Sequence, residues 1–264
     1  MSNKISPLAI IEDGAKIGKN VEIGPYCLIS SQATIGDNTV IDQNTSIYGK
    51  TTIGKNNHIF SHAVIGSIPQ DLKFAGEDVE LIIGDYNKIR EFTLFNPGTK
   101  GGGAKTIIGN HNLFMGYVHI GHDVIIGNHC ILANAATLAG HVEMGDYAVI
   151  GGMTPIHQFV HIGDYAMIAG ASALAQDVPP FCMAEGNRAT LRGLNLTGLR
   201  RHLKRDDIDE LKFAYRELFE AGKPLKEVAG ELIENTQNYL VHNLCNFIIK
   251  TKRGIPYERK NNNV

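Results

Sequence analysis

An aliphatic residue at every sixth position is the feature that most restricts what this chain can form. Eleven isoleucines keep that spacing without a break from Ile5 to Ile65. An amphipathic helix repeats about every 3.6 residues and a half-buried strand about every two, so neither explains the pattern. Slim residues such as Ala15, Val21 and Cys27 stand two positions before isoleucines, as in a short strand with two inward side chains. Each hexad is therefore interpreted as one short strand and one corner of a stacked coil.

The positions between the isoleucines collect residues that suit sharp corners. Glycine and asparagine recur there, and we expect them to supply left-handed backbone. Examples are Gly18, Asn20, Gly24, Gly36, Asn38, Gly54 and Asn56. Three hexads close one triangular coil of eighteen residues, and the period returns from Ile108 to Leu174. The sequence thus predicts a mainly β fold, a parallel β-helix of hexapeptide repeats, over residues 1–186.

Two interruptions of the period predict loops that project from this wall. In the first, the inward positions fall on Asp71 and Glu77, which an aliphatic core cannot hold unpaired. We therefore expect residues 66–82 to leave the wall, and a loop in so regular a structure is a candidate for function. Residues 96–107 are glycine-rich but lack the strand–loop–helix context of a phosphate site, so they are interpreted as a flexible surface loop.

The pattern becomes helical after a proline pair. Pro179 and Pro180 are expected to end the wall, because proline cannot donate to a strand ladder. Residues 187–264 are predicted to form a C-terminal α-helical domain. A capping box at Asp207 and Glu210 predicts the start of its first long helix. The predicted long helices span about 207–221, 224–235 and 237–250.

Composition excludes several classes of protein. The chain has 264 residues, of which 43% are hydrophobic and 20% charged, as in ordinary globular proteins. A formal charge of −2 argues against a general nucleic-acid binder. The four cysteines lie far apart without a CxxC pair, so we expect reduced packing residues. No signal-peptide pattern or membrane-spanning apolar window occurs, so we expect a cytoplasmic protein that is not integral to a membrane.

Histidines concentrate in the second block of coils. His122 and His141 are nineteen residues apart and His157 follows after sixteen, close to one coil of eighteen. They are therefore expected near one edge of the prism in successive layers, about 5–10 Å apart.

Three interpretations of these histidines compete. They are solvated corner residues, they bind zinc as in the carbonic anhydrases built on this coil, or one is a general base oriented by a carboxylate. The first interpretation suffices for His111, His129 and His161. Asp123 directly follows His122 and favours the general base.

Longer strings of residues carry a family resemblance. They are QDLKFAGE (70–77), HIGHD (119–123), CILANAATLAGHV (130–142), IGGMTPIHQF (150–159), AQDVPP (175–180) and EGNRAT (185–190). Together they resemble the UDP-N-acetylglucosamine O-acyltransferases, hexapeptide-repeat enzymes that begin lipid A synthesis. The resemblance covers nearly the whole chain. It implies a left-handed coil, an (R)-3-hydroxyacyl donor on acyl carrier protein, and a homotrimer with active sites between adjacent subunits.

The resemblance also implies roles for particular residues. His122 would remove the proton from the sugar 3-hydroxyl, Asp123 would support it, and the Gly140 N–H would bind the developing oxyanion. Gly170 would leave the acyl groove open for a long chain. The implied substrate-binding residues are Gln70, Asp71, Lys73, His119, His141, Gly152, His157, Gln158, Gly170, Arg188, Asn195 and Arg201. No metal or other cofactor enters the implied mechanism, because the donor is the phosphopantetheine arm of acyl carrier protein.

The chain departs from the family pattern at three positions. Asn96, Thr197 and His202 stand where histidine, glutamate and arginine are usual. The last two leave the contacts with uridine and phosphate open, and Asn96 leaves open a 3-amino sugar acceptor. A basic cluster after the coil suits a diphosphate and an acidic carrier protein, although without the resemblance a solvated helix face is the better explanation. Its members are Arg188, Arg192, Arg200, Arg201, His202, Lys204 and Arg205.

Three other functions compete with this one. An N-acyltransferase acting later in the pathway uses the same coil and a histidine base, but carries an extra N-terminal uridine-binding domain, whereas the hexads here begin at Ile5. A carbonic anhydrase-like enzyme would need stoichiometric zinc on three imidazoles. A non-catalytic ice-binding coil would repeat threonine on one flat face, whereas the outward residues here vary.

Overall fold

Each hexad forms a two-residue strand whose second residue points into a triangular core. The computed structural model describes residues 2–257. In the strand Val40–Ile41, Ile41 is 1% exposed, and Thr39 two positions before it is fully buried. Ile41 pairs in parallel with Ile23 of the preceding layer, so aliphatic side chains stack from layer to layer. The predicted parallel β-helix is confirmed.

Three sheets form the faces of the prism. The eleven strands of the first sheet are Lys4–Ile5, Glu22–Ile23, Val40–Ile41, His58–Ile59, Lys88–Ile89, Leu113–Phe114, Ile131–Leu132, Val149–Ile150, Met167–Ile168, Cys182–Glu185 and Thr190–Leu194. The eight strands of the second sheet are Ile10–Ile11, Leu28–Ile29, Ser46–Ile47, Val64–Ile65, Leu94–Phe95, His119–Ile120, Thr137–Leu138 and Pro155–Ile156. The eight strands of the third sheet are Lys16–Ile17, Thr34–Ile35, Lys50–Ile53, Glu80–Ile83, Lys105–Ile108, Ile125–Ile126, Glu143–Met144 and His161–Ile162.

The corners use left-handed backbone, but glycine rarely supplies it. Between the third and first sheets, Asn20, Asn38 and Asn56 have φ values of 55°, 58° and 56°. A Cβ on Gly36 would lie 2.5 Å from the carbonyl carbon of the glycine above it, so glycine is required there for the close approach of two layers. The prediction of left-handed backbone is wrong for Gly18, Gly24, Gly36 and Gly54, whose φ values are not positive.

Both interruptions of the period lie at the corner between the second and third sheets. The loops cover residues 66–79 and 96–104, and each ends three residues before its predicted end. Leu81 and Thr106 explain the difference, because both are fully buried at inward positions of wall strands. The two loops therefore leave successive layers at one edge of the prism, and the next layer carries His122.

The first sheet continues beyond the proline pair. Cys182–Glu185 adds a parallel strand and Thr190–Leu194 pairs with it antiparallel, so the sheet crosses the predicted domain boundary at residue 186. Four helices follow, α1 (Leu196–Leu199), α2 (Arg205–Phe219), α3 (Leu225–Asn235) and α4 (Tyr239–Lys250). The predicted helical domain is confirmed for the described part of the chain, whereas Met1 and residues 258–264 lie outside it. None of these four helices combines the length and the apolar character needed to cross a membrane.

The start of α2 differs from the prediction. Its N-cap is Lys204, and no side chain caps it. Asp207 lies in the first turn, where a carboxylate suits the helix dipole, and accepts a hydrogen bond of 3.2 Å from Asn238 Nδ2. The predicted capping box is therefore wrong, because Asp207 links α2 to the residue that caps α4. The four cysteines are buried free thiols, as expected.

Candidate active site

Residues from three successive layers meet at the corner between the second and third sheets. We call residues 121–124, 139–142 and 157–160 the histidine corner. Each segment has one left-handed residue, and Asp123, His141 and Phe159 have φ values of 59°, 62° and 63°. The ring centroids of His122 and His141 are 5.0 Å apart, which confirms the clustering expected for this pair.

His122 and Asp123 form a hydrogen-bonded pair. His122 Nδ1 lies 2.8 Å from Asp123 Oδ2, and the Asp123 side chain is fully buried while that of His122 is 17% exposed. An ionised carboxylate only accepts hydrogen bonds, so Nδ1–H is the donor. The lone pair then resides on Nε2, the nitrogen that faces away from Asp123. The pair therefore has the tautomer and the orientation of a general base.

Two threonines complete the environment of Asp123. The Thr99 N–H donates to Oδ1 at 2.8 Å, and the Thr99 hydroxyl donates to Oδ2 at 2.6 Å. The Asp123 N–H donates to the hydroxyl of Thr106 at 2.8 Å. The two Thr99 donors compensate the burial of the Asp123 carboxylate, which is otherwise costly. Neither threonine is a sequence-predicted site residue, because nothing in the linear pattern relates residue 99 to residue 123.

His141 forms the second imidazole of the corner. Its ring is perpendicular to that of His122, stacks on Phe159 at a centroid distance of 4.4 Å, and places Nε2 3.9 Å from Asp123 Oδ2. Burial lowers the pKa of His141 below its ordinary value, as does the neighbouring His122, while Asp123 and Asp71 act in the opposite direction. His141 is therefore neutral at pH 7 and offers a hydrogen bond rather than a charge.

Gly140 lies against the reactive edge of His122. A Cβ at this position would be 2.5 Å from His122 Cε1 and 2.6 Å from Nε2, so a larger residue here would displace the His122 ring. Within residues 2–257 the Gly140 N–H has no hydrogen-bond acceptor. An available backbone donor thus lies beside the basic nitrogen, as the oxyanion role expected for Gly140 requires.

The two loops and the histidine corner enclose a cavity of about 790 Å³. Its lining includes Asp71 and Lys73 from the first loop, Thr99 from the second, and His141 and Phe159 from the corner. The structure therefore brings two of the predicted loop residues to the predicted site. Gln70 of the same loop is exposed and makes no hydrogen bond or ion pair to any described residue.

His157 and Arg188 lie in a neighbouring cavity of about 740 Å³. The far wall of this cavity is formed by Ile255, Pro256 and Tyr257, where the chain returns to the prism after α4. His157 Nδ1 is 3.1 Å from the carbonyl oxygen of Gln158. The cavity therefore extends the site from the histidine corner towards the C-terminal domain.

His119 projects from the second sheet one layer below the level of His141. Its Nδ1–H donates to the carbonyl of Leu94 at 3.2 Å, which fixes the ring. Burial lowers the pKa of His119, the Leu94 hydrogen bond raises it, and His122 lowers it further. His119 is thus a second neutral imidazole next to the proposed base.

Other predicted substrate residues lie at the two remaining corners. Gly152 and Gly170 stack in successive layers between the first and second sheets, where a Cβ on Gly170 would lie 3.6 Å from the Gly152 nitrogen. Asn195 lies beside the corner between the third and first sheets and donates to the carbonyl of Tyr165 at 3.0 Å. Arg201 is exposed just after α1. Within residues 2–257 of one chain, these residues make no hydrogen bond, ion pair or ring contact to the histidine corner.

The Asn195 side chain also has a structural task. Its Oδ1 accepts the Gly198 N–H at 3.1 Å and caps α1. Both polar ends of the amide are therefore engaged, one by α1 and one by the prism.

Of the three histidines interpreted as solvated, His111 and His129 are exposed as expected, and His161 is half-buried. His111 and His129 stack at 4.8 Å in a ladder of left-handed corner residues, which continues to Tyr86 on one side and Tyr147 on the other. His161 Nε2 lies 3.6 Å from a carboxylate oxygen of Glu143. Ring stacking, rather than solvation alone, accounts for the first two.

The metal hypothesis has one geometric observation in its favour. Ligand atoms of His122, Asp123 and His141 lie within 4.8 Å of one another. This set has two imidazoles and a carboxylate, not the three imidazoles of the expected zinc site. Both oxygens of Asp123 already accept hydrogen bonds, from Thr99 and from His122.

Known proteins share this sequence along nearly its full length. A model described as bacterial transferase hexapeptide (six repeats) matches residues 32–67 and 105–140, and one described as UDP N-acetylglucosamine O-acyltransferase, domain 2, matches 177–256. An acyl-[acyl-carrier-protein]–UDP-N-acetylglucosamine O-acyltransferase from Sulfurimonas denitrificans is 85% identical over 98% of this chain and 99% of that protein. This chain belongs to the UDP-N-acetylglucosamine O-acyltransferase family.

Solved structures agree with the family assignment. The UDP-N-acetylglucosamine acyltransferase from Campylobacter jejuni is 50% identical with a TM-score of 0.94, over 97% of this chain and 100% of that chain. The Francisella novicida enzyme is 35% identical with a TM-score of 0.93, over 97% of this chain and 95% of that one. The family fold thus includes the prism, both loops and the helical domain.

Proposed function

We propose that the histidine corner transfers an (R)-3-hydroxyacyl chain from acyl carrier protein to the 3-hydroxyl of UDP-N-acetylglucosamine. One observation carries the proposal: buried Asp123 orients His122, whose other ring nitrogen lies next to Gly140, a residue with an available N–H. A base and an oxyanion donor at one point are what acyl transfer to a hydroxyl requires. The Sulfurimonas denitrificans relative is named for this kind of donor and this acceptor.

The reaction follows from these positions. Nε2 of His122 takes the proton of the sugar 3-hydroxyl as the hydroxyl oxygen attacks the thioester carbonyl carbon. The carbonyl oxygen becomes an oxyanion bound by the Gly140 N–H, a type of contact worth about 10²-fold or more in rate. The intermediate then expels the phosphopantetheine thiolate, which takes the proton from His122. Asp123 holds the ring and stabilises the imidazolium. This scheme uses no metal or other cofactor.

The cavity between the loops suits the sugar of the acceptor. Asp71 and Lys73 supply one acceptor of hydrogen bonds and one cation on its wall, and neutral His141 supplies a ring nitrogen next to the base. Hydroxyl and amide groups of an N-acetylated sugar need such mixed partners. The adjoining cavity, with His157 and Arg188, would receive a more distant part of the same substrate.

A homotrimer accounts for the predicted residues that lie elsewhere. Gly170, Asn195 and Arg201 lie away from the histidine corner of their own chain. A second subunit packed against that corner would bring them to it, and a three-fold axis repeats this arrangement in a closed ring. Gly170 would leave the acyl groove at the interface open, so a long chain is expected.

The same assignment has three wider consequences. The coil is left-handed, as the family resemblance implies. The protein acts in the cytoplasm, where acyl carrier protein is found. Its reaction is the first step of lipid A synthesis.

A zinc enzyme of the carbonic anhydrase type is the second candidate, and the grouping of His122, Asp123 and His141 favours it. It differs in a measurable way. A zinc enzyme loses activity with a chelator and regains it with added metal, whereas the proposed acyl transfer is indifferent to both.

The test uses purified protein, UDP-N-acetylglucosamine, its 3-amino analogue, and a series of hydroxyacyl carrier proteins, with and without chelator. We expect His122→Ala to lose about 10³-fold or more of the rate while the oligomer stays intact. The matched control is His129→Asn, because asparagine fills the equivalent left-handed position in lower coils. Wild-type turnover in His122→Ala would remove His122 from its proposed role, and the highest rate with a short donor would contradict the open groove.

A further inference from the structure

The first residues of the glycine-rich segment 96–104 are buried against the candidate active site. Thr99 is 6% exposed, and both of its donors point to the Asp123 carboxylate, at 2.8 Å from the N–H and 2.6 Å from the hydroxyl. The Asp123 side chain is fully buried. A hydrogen bond to a buried charged group is stronger than one between neutral groups and costly to lose. The prediction of a flexible surface loop is therefore wrong for residues 96–99, which are buried, whereas Lys100 and the three glycines after it are exposed as expected of a surface loop.

The local turn leaves the Thr99 hydroxyl free for this contact. Thr99 is the N-cap of the short 3₁₀ turn Lys100–Gly102, a position where a threonine hydroxyl usually caps the turn. Here the side chain makes no cap, and the Thr99 carbonyl holds the turn by accepting the N–H groups of Gly102 at 3.0 Å and Ala104 at 2.8 Å. The hydroxyl is thus directed away from its own turn and towards the neighbouring layer.

The turn also passes very close to the carboxylate. A Cβ on Gly102 would collide with the carboxyl group of Asp123, although Gly102 does not have positive φ. Gly102 has no side chain, and this allows the turn to pack directly against the Asp123 carboxylate. The backbone thus places Thr99 at a fixed distance from Asp123.

We propose that Thr99 is a positioning residue for His122, which acts by fixing the rotation of the Asp123 carboxylate. This inference rests on the proposed role of His122 as the base. A carboxylate has two oxygens and about four lone-pair sites, so one partner does not fix its plane. Thr99 binds one oxygen through its N–H and the other through its hydroxyl, which turns Oδ2 towards Nδ1 of His122.

A hydrogen bond links the segment that contains Thr99 to the first loop, and both line the acceptor cavity. Glu77 of the first loop accepts the N–H of Ala75 at 2.7 Å and, at 3.4 Å, that of Lys100, the residue after Thr99. Asp71 and Lys73 of the first loop line the cavity together with Thr99. The segment that orients the base is therefore the same segment that bounds the acceptor site.

The experiment compares Thr99→Val with Thr99→Ser, under conditions that give kcat and KM separately over a range of pH. We expect Thr99→Val to lower kcat about 10²-fold, because a misplaced base costs about that much, with KM for the acceptor changed less than about threefold. The acid limb of its pH–rate profile moves to higher pH, because Asp123 loses a donor that disperses its charge. Thr99→Ser keeps the hydroxyl and restores most of the rate. Equal losses in the two variants would overturn the proposal.

The matched control is Thr93→Val. The Thr93 hydroxyl is buried and has no hydrogen-bond partner in the described part of the chain, so the same substitution removes no contact. We expect its kcat and pH profile to match the wild type. A similar loss in Thr93→Val would show that any threonine replacement in this wall disturbs the site, and would overturn the specific role of Thr99.

A double variant separates this inference from the proposed function. If Thr99 acts through His122, Thr99→Val adds no loss in a His122→Ala background. An active His122→Ala variant would overturn the proposed function, whereas an inactive His122→Ala with a wild-type Thr99→Val would overturn this inference alone. If Thr99→Val does not fold, Gly102→Ala displaces the turn while keeping threonine. It should show the same fall in kcat and the same shift of the acid limb, and a wild-type profile would overturn the proposal.

Discussion

The lower coils, up to residue 65, and the upper coils, from residue 105, have one architecture but different corners. Ile41 in the lower block and Ile150 in the upper block are 1% and 0% exposed, and both stack on an aliphatic residue eighteen positions earlier. At the corner between the second and third sheets, however, Glu12 merely accepts the Ser31 N–H in the lower coils. The equivalent corner of the upper coils carries the hydrogen-bonded side chains of His122 and Asp123. Inward residues thus specify the coil, and corner side chains are free to carry chemistry.

A second corner shows that a histidine alone is not enough. Between the third and first sheets, asparagines such as Asn38 hold the left-handed positions of the lower coils, and His111 and His129 hold them above. The two histidines stack on each other, and no recorded ion pair joins either ring to a carboxylate within residues 2–257. His122 differs because it is hydrogen-bonded to buried Asp123. The buried carboxylate partner, rather than the imidazole itself, distinguishes the proposed catalytic corner from the stacked one.

The largest expected effect tests whether the two blocks share one core. Ile41→Ala and Ile150→Ala remove equivalent, fully packed side chains, and each should lower the free energy of unfolding by about 2–5 kcal/mol. Urea unfolding followed by circular dichroism measures both. Because the two positions are equivalent, we expect the two losses to agree within about 1 kcal/mol. A much smaller loss of unfolding free energy in one block would show that the two blocks do not share equivalent cores.

The next largest effect is on the rate, and it tests the proposed role of the histidine corner. Gly140→Ala would place a methyl group against Cε1 and Nε2 of His122, so the ring must move. We expect the rate to fall about 10²-fold or more, with little loss of stability, because the ring is the flexible partner. Gly230→Ala is the control, since a Cβ there meets no atom within 4 Å. A wild-type rate in Gly140→Ala would mean that His122 does not act from the observed position.

The sequence predicted the core and the histidine edge because both depend on a period that can be counted. Stacking by coils of eighteen was enough to bring His122 and His141 together. The contact of Thr99 with Asp123 could not be found in this way, because it joins an irregular loop to the wall across twenty-four residues. The residues implied by family resemblance lie at three corners of one chain, and only coordinates could show that they are separated.

The sequence wrongly predicted left-handed backbone at corner glycines such as Gly36. The physical reason can be tested by substitution. Left-handed backbone and close approach both favour glycine, and the linear pattern does not distinguish them. Gly36→Ala forces a Cβ within 2.5 Å of the backbone above it, so we expect a loss of stability of about 1–3 kcal/mol. Asn38→Gly, at the truly left-handed neighbour, should change stability by less than about 1 kcal/mol. If Asn38→Gly lowered stability more than Gly36→Ala, the close approach of layers at Gly36 would not be the more demanding feature of this corner.

The smallest expected effect is the pH dependence that His141 contributes to the stability of the chain. Burial holds the pKa of His141 below its ordinary value. As the pH falls, His141 is therefore protonated in the unfolded chain before it is protonated in the folded chain. Stability therefore rises with pH wherever the unfolded state binds more protons, and is lost as the pH falls below about 6.5. Once the folded His141 also takes up its proton, the loss from this group is complete.

His141→Gln isolates this contribution, because glutamine does not titrate. Urea unfolding of wild type and variant between about pH 8 and pH 5 gives the difference in unfolding free energy, in which His119, also lowered in pKa by burial, cancels to first order. We expect wild type to lose stability relative to the variant on acidification. Asp123→Asn should steepen the loss, because the Asp123 charge raises the pKa of His141. A difference that is constant with pH would mean that burial does not disfavour protonation of His141 in the folded chain, which would contradict this prediction.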